Sequence, residues 1–107
     1  MNTSALWKQK DATLSDKTAE KEYGLTRSEI IDAINDGELQ FREGSMHGNP
    51  WFRLLRIEVE KLVESKHGAE YLREKLVKKE LSEINSELKS LNKRKDELET
   101  RKRELMA

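Results

Sequence analysis

The strongest constraint on this fold is a long stretch near the C-terminus, residues 69–106, that contains neither glycine nor proline. Its apolar side chains recur at alternating steps of three and four residues, which is the spacing of a heptad repeat. At 1.5 Å per residue, the pattern predicts one helix about 57 Å long. The apolar positions of the repeat are Val77, Leu81, Ile84, Leu88, Leu91, Leu98 and Leu105.

This apolar stripe predicts a coiled coil, because an isolated amphipathic helix has nothing to bury its apolar face against. A second copy of the chain is the simplest partner, so we expect a homodimer with those apolar residues at its interface. Lys95 and Lys102 occupy two further core positions and weaken the distal half of the coil. Two alternatives remain open: a solvated single helix, and a helix that meets a protein partner in a complex.

The proportion of charged residues indicates that the chain is not one compact body. Of its 107 residues, 39% are charged and 35% are hydrophobic, whereas about a quarter of the residues in an ordinary globular domain are charged. We therefore predict three parts: a loose N-terminal arm (residues 1–13), a small domain (14–68) and the C-terminal coiled-coil helix (69–107). The net charge is zero, so no overall electrostatic attraction to nucleic acid is expected.

The absence of cysteine excludes several kinds of site. A disulfide framework, a cysteine nucleophile and a thiolate zinc site all require that residue. No apolar run approaches the ~20 residues that cross a bilayer, and residues 1–7 lack the charged and apolar regions of a signal peptide. We therefore expect a soluble, cytoplasmic protein with no membrane partner.

Capping signals predict a pair of short helices after the arm. Ser15 is a good N-cap and Gly24 suits the left-handed residue beyond a helix end, which together predict a helix over Asp16–Tyr23. Thr26-Arg27-Ser28-Glu29 has the form of a capping box, and the helix it starts ends at Asn35-Asp36-Gly37. Two short helices joined by a tight turn have the outline of a helix-turn-helix.

A change of period then predicts a β-hairpin followed by a third helix. Alternating polar and apolar residues predict a strand over 38–42, and aromatic, β-prone residues predict a second strand over 51–54. Glycine, asparagine and proline between them predict a loop over 43–50. The helical period returns at Leu55 and Gly68 can end that helix. The predicted core residues are Leu14, Ala19, Tyr23, Ile30, Ile31, Ile34, Leu55, Val59, Leu62 and Val63.

Particular residues within this order of elements suggest a family. They are Leu14-Ser15, Ala19, Tyr23-Gly24-Leu25-Thr26-Arg27, Ile30-Ile31, Ile34, Gly37-Glu38-Leu39, Phe52-Arg53 and Ile57-Glu58-Val59-Glu60. In these residues the chain resembles the winged-helix DNA-binding domain of MerR-type regulators and phage excisionases. The resemblance implies a mainly α, winged helix-turn-helix fold with the hairpin as its wing. It also implies that duplex DNA is the partner and that the long helix pairs with a second subunit.

A second set of residues carries a second likeness. They are Lys17, Lys21-Glu22-Tyr23, Leu25, Leu39-Gln40-Phe41, His47, Asn49-Pro50-Trp51 and the basic helical tail after Lys66-His67-Gly68. These are similar to the C-terminal part of the DNA-binding domain in the xeroderma pigmentosum group A repair proteins. The zinc finger of that family has no counterpart here, because the chain has no cysteine.

The first resemblance places the second helix in the major groove and basic side chains of the wing on phosphates. On the same helix, Asp32 and Asp36 oppose DNA binding, because carboxylates repel phosphate. The candidate DNA-binding residues are Lys17, Lys21, Arg27, Ser28, Asn35, Arg42, His47 and Arg53.

No catalytic constellation is present in the sequence: it has no Ser-His-Asp set, no phosphate-cradling glycine loop and no H-E-x-x-H motif. His47 and His67 lack metal-ligand spacing, so we predict neither an enzyme, nor a cofactor, nor a metal site. Two hypotheses follow. The first is a DNA-binding transcriptional regulator or accessory factor that dimerises through its coiled coil. The second is a protein-interaction module that keeps the fold without binding DNA, which the neutral charge and the acidic second helix favour.

Overall fold

Helices make up most of the chain, and a small antiparallel sheet joins the first of them. The computed structural model describes residues 3–46 and 48–107. The elements in chain order are a 3₁₀ turn (Leu6–Lys8), β1 (Thr13–Ser15), α1 (Asp16–Tyr23), α2 (Arg27–Asn35), β2 (Phe41–Met46), β3 (Asn49–Leu55), α3 (Arg56–His67) and α4 (Ala69–Met106).

The chain divides into two compact units, Met1–Lys75 and Leu76–Ala107. The N-terminal unit contains every element up to α3 and the first turns of α4. The C-terminal unit is the remainder of α4, and none of its residues is buried. The long helix therefore covers the range predicted for it, 69–106.

The two capped helices, α1 and α2, lie where the sequence predicts them. The Ser15 hydroxyl accepts the Thr18 N–H at 3.1 Å, and Gly24 beyond the helix end has a φ of 69°. At α2 the capping box is complete: Thr26 Oγ1 accepts the Glu29 N–H at 3.1 Å, and Glu29 Oε1 accepts the Thr26 N–H at 2.9 Å. Local capping chemistry thus determines both helix starts.

The sheet has β3 at its centre, antiparallel to β1 on one side and to β2 on the other. Leu54 of β3 pairs with Leu14 of β1 and with Phe41 of β2, and its side chain is fully buried. Helices α1 and α3 pack against β3. The core residues in this cluster are Leu14, Ala19, Tyr23, Leu25, Ile30, Ala33, Leu39, Leu54, Val59, Leu62 and Val63, with Ile34 partly buried beside them.

The hairpin differs from its prediction. The ranges predicted for its first strand (38–42) and for its loop (43–50) are both wrong. Strand β2 runs to Met46 and β3 begins at Asn49, so most of the expected loop is paired strand. Gly44 explains the error, because it pairs with Trp51 and a Cβ there would lie 2.6 Å from the indole ring. Glycine at this position marks a close side-chain approach within a strand and not a turn.

Residues 3–13 are more ordered than the expected loose arm. Trp7 lies in the 3₁₀ turn with 4% of its surface exposed. The Arg56 N–H donates to the Ala12 carbonyl at 2.9 Å just before β1 joins the sheet. A strand of three residues is too short to show a period of two, so no pattern in the sequence predicts it.

Gly68 separates α3 from α4 with a φ of 94°, and the Tyr71 hydroxyl, in the first turn of α4, donates to the Tyr23 carbonyl at 2.8 Å. This bond attaches the start of α4 to the C-terminal end of α1. None of the helices described here combines the length and apolar character that a membrane span requires.

Candidate nucleic-acid interface

Lys17 and Lys21 are exposed on α1 and lie four residues apart, so they occupy the same face of the helix. Within residues 3–46 and 48–107, neither lysine lies in an ion pair. Their charges are therefore available to an anion outside the fold.

Arg42 and Arg53 meet over the indole of Trp7. They are register partners in β2 and β3, so they share the sheet face opposite Leu54. Their guanidinium carbons lie 4.5 Å and 5.9 Å from the centre of the Trp7 ring system, within cation–π range. The two arginines and Trp7 are called the Trp7 cluster below.

Within the Trp7 cluster the two arginines have different roles. Arg53 donates from Nη2 to the Trp7 carbonyl at 2.7 Å and from Nε to Thr13 Oγ1 at 3.1 Å. It is only partly exposed, and its donors hold the N-terminal segment against the sheet. Arg42 is exposed and stacks on Trp7 without a hydrogen bond among the described residues. Arg42 therefore presents its donors to solvent, whereas Nε and Nη2 of Arg53 are bound within the fold.

Arg27 begins α2 and joins three elements through Asp16. Its Nη1 lies 2.8 Å from Asp16 Oδ2, and its guanidinium lies 5.9 Å from the centre of the Phe52 ring. Asp16 is 2% exposed, and its other oxygen accepts the Phe52 N–H at 3.1 Å. The Arg27 side chain is 59% exposed, so it reaches solvent while it pairs with Asp16.

The remaining candidates lie apart from these groups. Ser28 is exposed beside Arg27 in the first turn of α2. Asn35, also exposed, lies eight residues along the same helix, about 12 Å from Arg27. Asp32 and Asp36 are exposed on this helix and its C-cap. His47 lies outside the described residues.

The fold brings the start of α1 close to the Trp7 cluster. Ser15, the N-cap of α1, is the register partner of Arg53, which in turn pairs with Arg42. Lys17 lies two residues after that cap. Asp16, which lies between Ser15 and Lys17 in the chain, contacts Arg27. The N-termini of helices favour anions, so this arrangement suits phosphate. The cationic set is Lys17, Lys21, Arg27 and Arg42.

Some carboxylates of the N-terminal unit have hydrogen-bond or ion-pair partners in the fold. The backbone N–H of Thr26 holds the pKa of Glu29 below its usual value, and the ring of His67 lies 3.2 Å from the same carboxylate. Other internal pairs are Glu22 with Arg56, Glu58 with Gln40, and Glu60 with Tyr23.

Tyr23 forms a buried polar network that the sequence did not indicate. Its hydroxyl donates to Glu60 at 3.0 Å and accepts from Arg56 Nη1 at 3.0 Å, and burial raises the pKa of Tyr23 to about 12. Asp16, Trp7 and Tyr23 all have partners distant in sequence, so no local motif identifies their polar roles. Tyr23 was predicted as a core residue, but its hydroxyl bonds were not predicted.

We expect Tyr23 to make stability fall at alkaline pH. Because its folded pKa exceeds the unfolded value near 10, its contribution is complete below pH 10 and is lost as the pH rises to 12. The loss is about 3 kcal/mol over this window. Urea unfolding from pH 9 to 12, followed by tryptophan fluorescence, measures it. Tyr23→Phe should remove this part of the slope; equal slopes in the two proteins would contradict the assignment.

The comparisons with known proteins show a likeness to a solved structure. No family model matches this chain, and no curated protein matches it. Among solved structures, the chain is similar to Rad14 in complex with DNA that contains acetylaminophenyl-guanine, with 24% sequence identity and a TM-score of 0.49. The match covers 70% of this chain and 67% of the Rad14 chain. The DNA in that structure is a ligand of Rad14.

Proposed function

We propose that this chain is a DNA-binding protein whose cationic set contacts the phosphates of duplex DNA. The observation that supports it is the placement of four exposed cations: Lys17 in the first turn of α1, Lys21 in its last turn, Arg27 at the start of α2 and Arg42 on β2. Three of them have no acidic partner among the described residues, and the fourth, Arg27, pairs with Asp16 while its side chain stays 59% exposed. In this proposal α1 and α2 act as a helix-turn-helix and β2–β3 as its wing.

Each element has a separate task in this proposal. Helix α2 enters the major groove, where Ser28 and Asn35 read base edges and Arg27 contacts phosphate. Arg42 contacts phosphate from the wing, and its stack on Trp7 orders its planar guanidinium before DNA arrives. Arg53 acts as a positioning residue, because it holds Trp7 in place through the backbone.

We also propose that α4 joins two copies of the chain. Two linked DNA-binding units raise the effective concentration of the second contact once the first is made. This matters for a unit with few phosphate contacts. Such a dimer would serve as a transcriptional regulator or an accessory DNA-binding factor.

The salt dependence of DNA binding tests the proposal. Four phosphate contacts predict that the affinity of one unit falls about 150-fold between roughly 50 and 200 mM salt, and a dimer that engages both units should lose more. Lys17→Ala/Arg42→Ala should weaken binding at low salt and reduce the slope of log affinity against log salt by about 1.8 for each bound unit. Fluorescence anisotropy with labelled duplex measures both. Arg53→Ala is unsuitable here, because it would also release Trp7.

Lys61→Ala/Lys66→Ala is the matched control, since it removes the same charge from exposed positions on α3. If this variant weakens binding as much as Lys17→Ala/Arg42→Ala, the cationic set is not the DNA surface. Single-stranded DNA of the same length shows whether the duplex is preferred.

The second candidate function is a protein-interaction module, which the exposed carboxylates of Asp32 and Asp36 favour. They lie on the helix that would enter the groove, where each would repel phosphate. Absence of binding to duplex and single-stranded DNA at about 50 mM salt would favour this candidate. Its partner would then engage α2 or α4.

A further inference from the structure

The apolar face of α4 in the C-terminal unit is exposed along its whole length. The apolar core positions of its heptad repeat from Leu81 to Leu98 are 43% to 57% exposed. Burial of an apolar face supplies most of the stability of such a helix. The charged residues beside this face indicate which partner covers it and in which direction that partner runs.

Two rows of side chains flank the apolar face. The first flank consists of the residues that directly precede the core positions 81, 88, 95 and 102. The second flank consists of the residues that directly follow the core positions 77, 84, 91 and 98. The first flank is acidic in its N-terminal half and basic in its C-terminal half, whereas the second begins basic and ends acidic. The first flank is Glu80, Glu87, Arg94 and Arg101, and the second is Lys78, Asn85, Asn92 and Glu99.

This reversal of sign makes each flank complementary to itself when a second copy runs in the opposite direction. In antiparallel coiled coils, equivalent flanks face each other. Aligning Leu88 with Leu91 of the partner places Glu80 beside Arg101 of the partner and Glu87 beside Arg94 of the partner. On the second flank, Lys78 meets Glu99 of the partner. Each pair occurs twice by symmetry, and none of these flank pairs is repulsive.

The core pairing agrees with the same alignment. Leu81 lies level with Leu98 of the partner, and Lys95 and Lys102 lie level with Ile84 and Val77 of the partner. A lysine can cover an aliphatic neighbour with its stem while its ammonium group reaches water. Each lysine is thereby separated from its counterpart in the other copy.

Other arrangements are less favourable. A parallel coil in register places Lys95 against Lys95 of the partner, and Lys102 likewise, at the centre of the interface. It also leaves Glu80 and Glu87 facing asparagines. An antiparallel shift by one heptad brings Glu87 against Glu87 of the partner, or Arg94 against Arg94 of the partner. Like charges in such positions are destabilising.

We propose that α4 binds α4 of a second copy as an antiparallel coiled coil in the register that aligns Leu88 with Leu91 of the partner. This deepens the proposed function and rests on its joining of two copies. The occupant of the apolar face is thus a second copy of this chain, and the two flanks determine its direction. Glu99 also lies 4.0 Å from Lys95 of its own helix, but such an exposed pair contributes little.

Charge exchange on the first flank tests the direction. Glu80→Arg/Glu87→Arg makes that flank wholly basic, and Arg94→Glu/Arg101→Glu makes it acidic from residue 80 onward. Each change should weaken self-association of the full chain about 30-fold, because four pairs across the interface become repulsive. An equimolar mixture of the two variants should form a heterodimer. Glutamate and arginine have similar helix propensities, so the helix itself is conserved.

The fourfold variant that combines these substitutions is the decisive control. In the antiparallel register it restores every attractive pair and should dimerise like the parent chain. In a parallel coil it brings a glutamate at 94 against Glu99 of the partner, so it should associate as weakly as Arg94→Glu/Arg101→Glu. Sedimentation equilibrium at low salt measures all four proteins. If the fourfold variant dimerises like the parent chain, the antiparallel direction is supported. If the parent chain dimerises and the fourfold variant does not, the antiparallel direction is wrong, although the dimer itself stands.

Cysteine cross-linking gives an independent measurement, because the chain has no cysteine of its own. Leu81→Cys mixed with Leu98→Cys should form a mixed disulfide in a glutathione redox buffer, and Leu98→Cys alone should not. In the antiparallel register two cysteines at 98 lie about 25 Å apart along the coil. A disulfide in Leu98→Cys alone would indicate a parallel coil. A parent chain that stays monomeric would reject the dimer as well, without bearing on DNA binding by the N-terminal unit.

Discussion

Trp7→Ala is expected to lower the free energy of unfolding by about 3 kcal/mol, the lower end of the range for replacing a buried large aromatic residue. Trp7 is 4% exposed, although it lies in a segment without extended secondary structure. Its loss removes the surface on which Arg42 and Arg53 stack. Urea unfolding followed by the fluorescence of Trp51, which remains in the variant, measures the change.

Trp7→Phe is the matched control, because it keeps an aromatic face of smaller area. We expect it to lose about 1 kcal/mol, as for a conservative reduction of core volume. If Trp7→Ala lowers the free energy of unfolding by less than about 1 kcal/mol, the N-terminal segment contributes little to the stability of the sheet. Under the proposed function, Trp7→Ala also weakens DNA binding, because Arg42 loses the surface that orders it.

Asp16→Ala should lower the free energy of unfolding by about 2–3 kcal/mol, which lies within the range for hydrogen bonds to a charged group. The substitution leaves the N–H of Phe52 without its acceptor in a partly buried position. It also removes the ion pair of Arg27, but that side chain is 59% exposed, so the pair contributes little. Chemical denaturation measures the loss, and amide exchange at Phe52 locates it.

Asp16→Asn separates these two contributions. The amide oxygen of asparagine can still accept the Phe52 N–H, while the charge facing Arg27 is lost. We expect Asp16→Asn to retain more than half of the stability that Asp16→Ala loses. Equal losses would indicate that the ion pair with Arg27, and not the backbone bond, accounts for the effect.

The helices were predictable from the sequence because their signals are local. Ser15 and Gly24 delimit α1, and Thr26 with Glu29 starts α2. The long glycine-free stretch gave the range of α4. In each case the residues that determine the helix lie within one or two turns of each other, so their pattern is visible along the chain.

The sheet and the candidate site depend on contacts between distant residues, and these the sequence did not reveal. Strand β1 pairs with β3 about 40 residues later. Gly44 falls in the predicted loop because its contact with Trp51 joins two strands and leaves no local pattern. Arg42 and Arg53 were predicted as equivalent contacts. The structure distinguishes them, because the Trp7 carbonyl engages Arg53 and not Arg42.

Gly24 restricts which sequences related to this one can keep the same fold. Its φ of 69° is a conformation that asparagine also tolerates. A Cβ at this position, however, would lie 2.5 Å from the Tyr71 hydroxyl, which is held by the Tyr23 carbonyl. Evolutionary replacement of Gly24 by asparagine is therefore expected only together with a shorter residue at position 71. The two positions should covary, although 47 residues separate them.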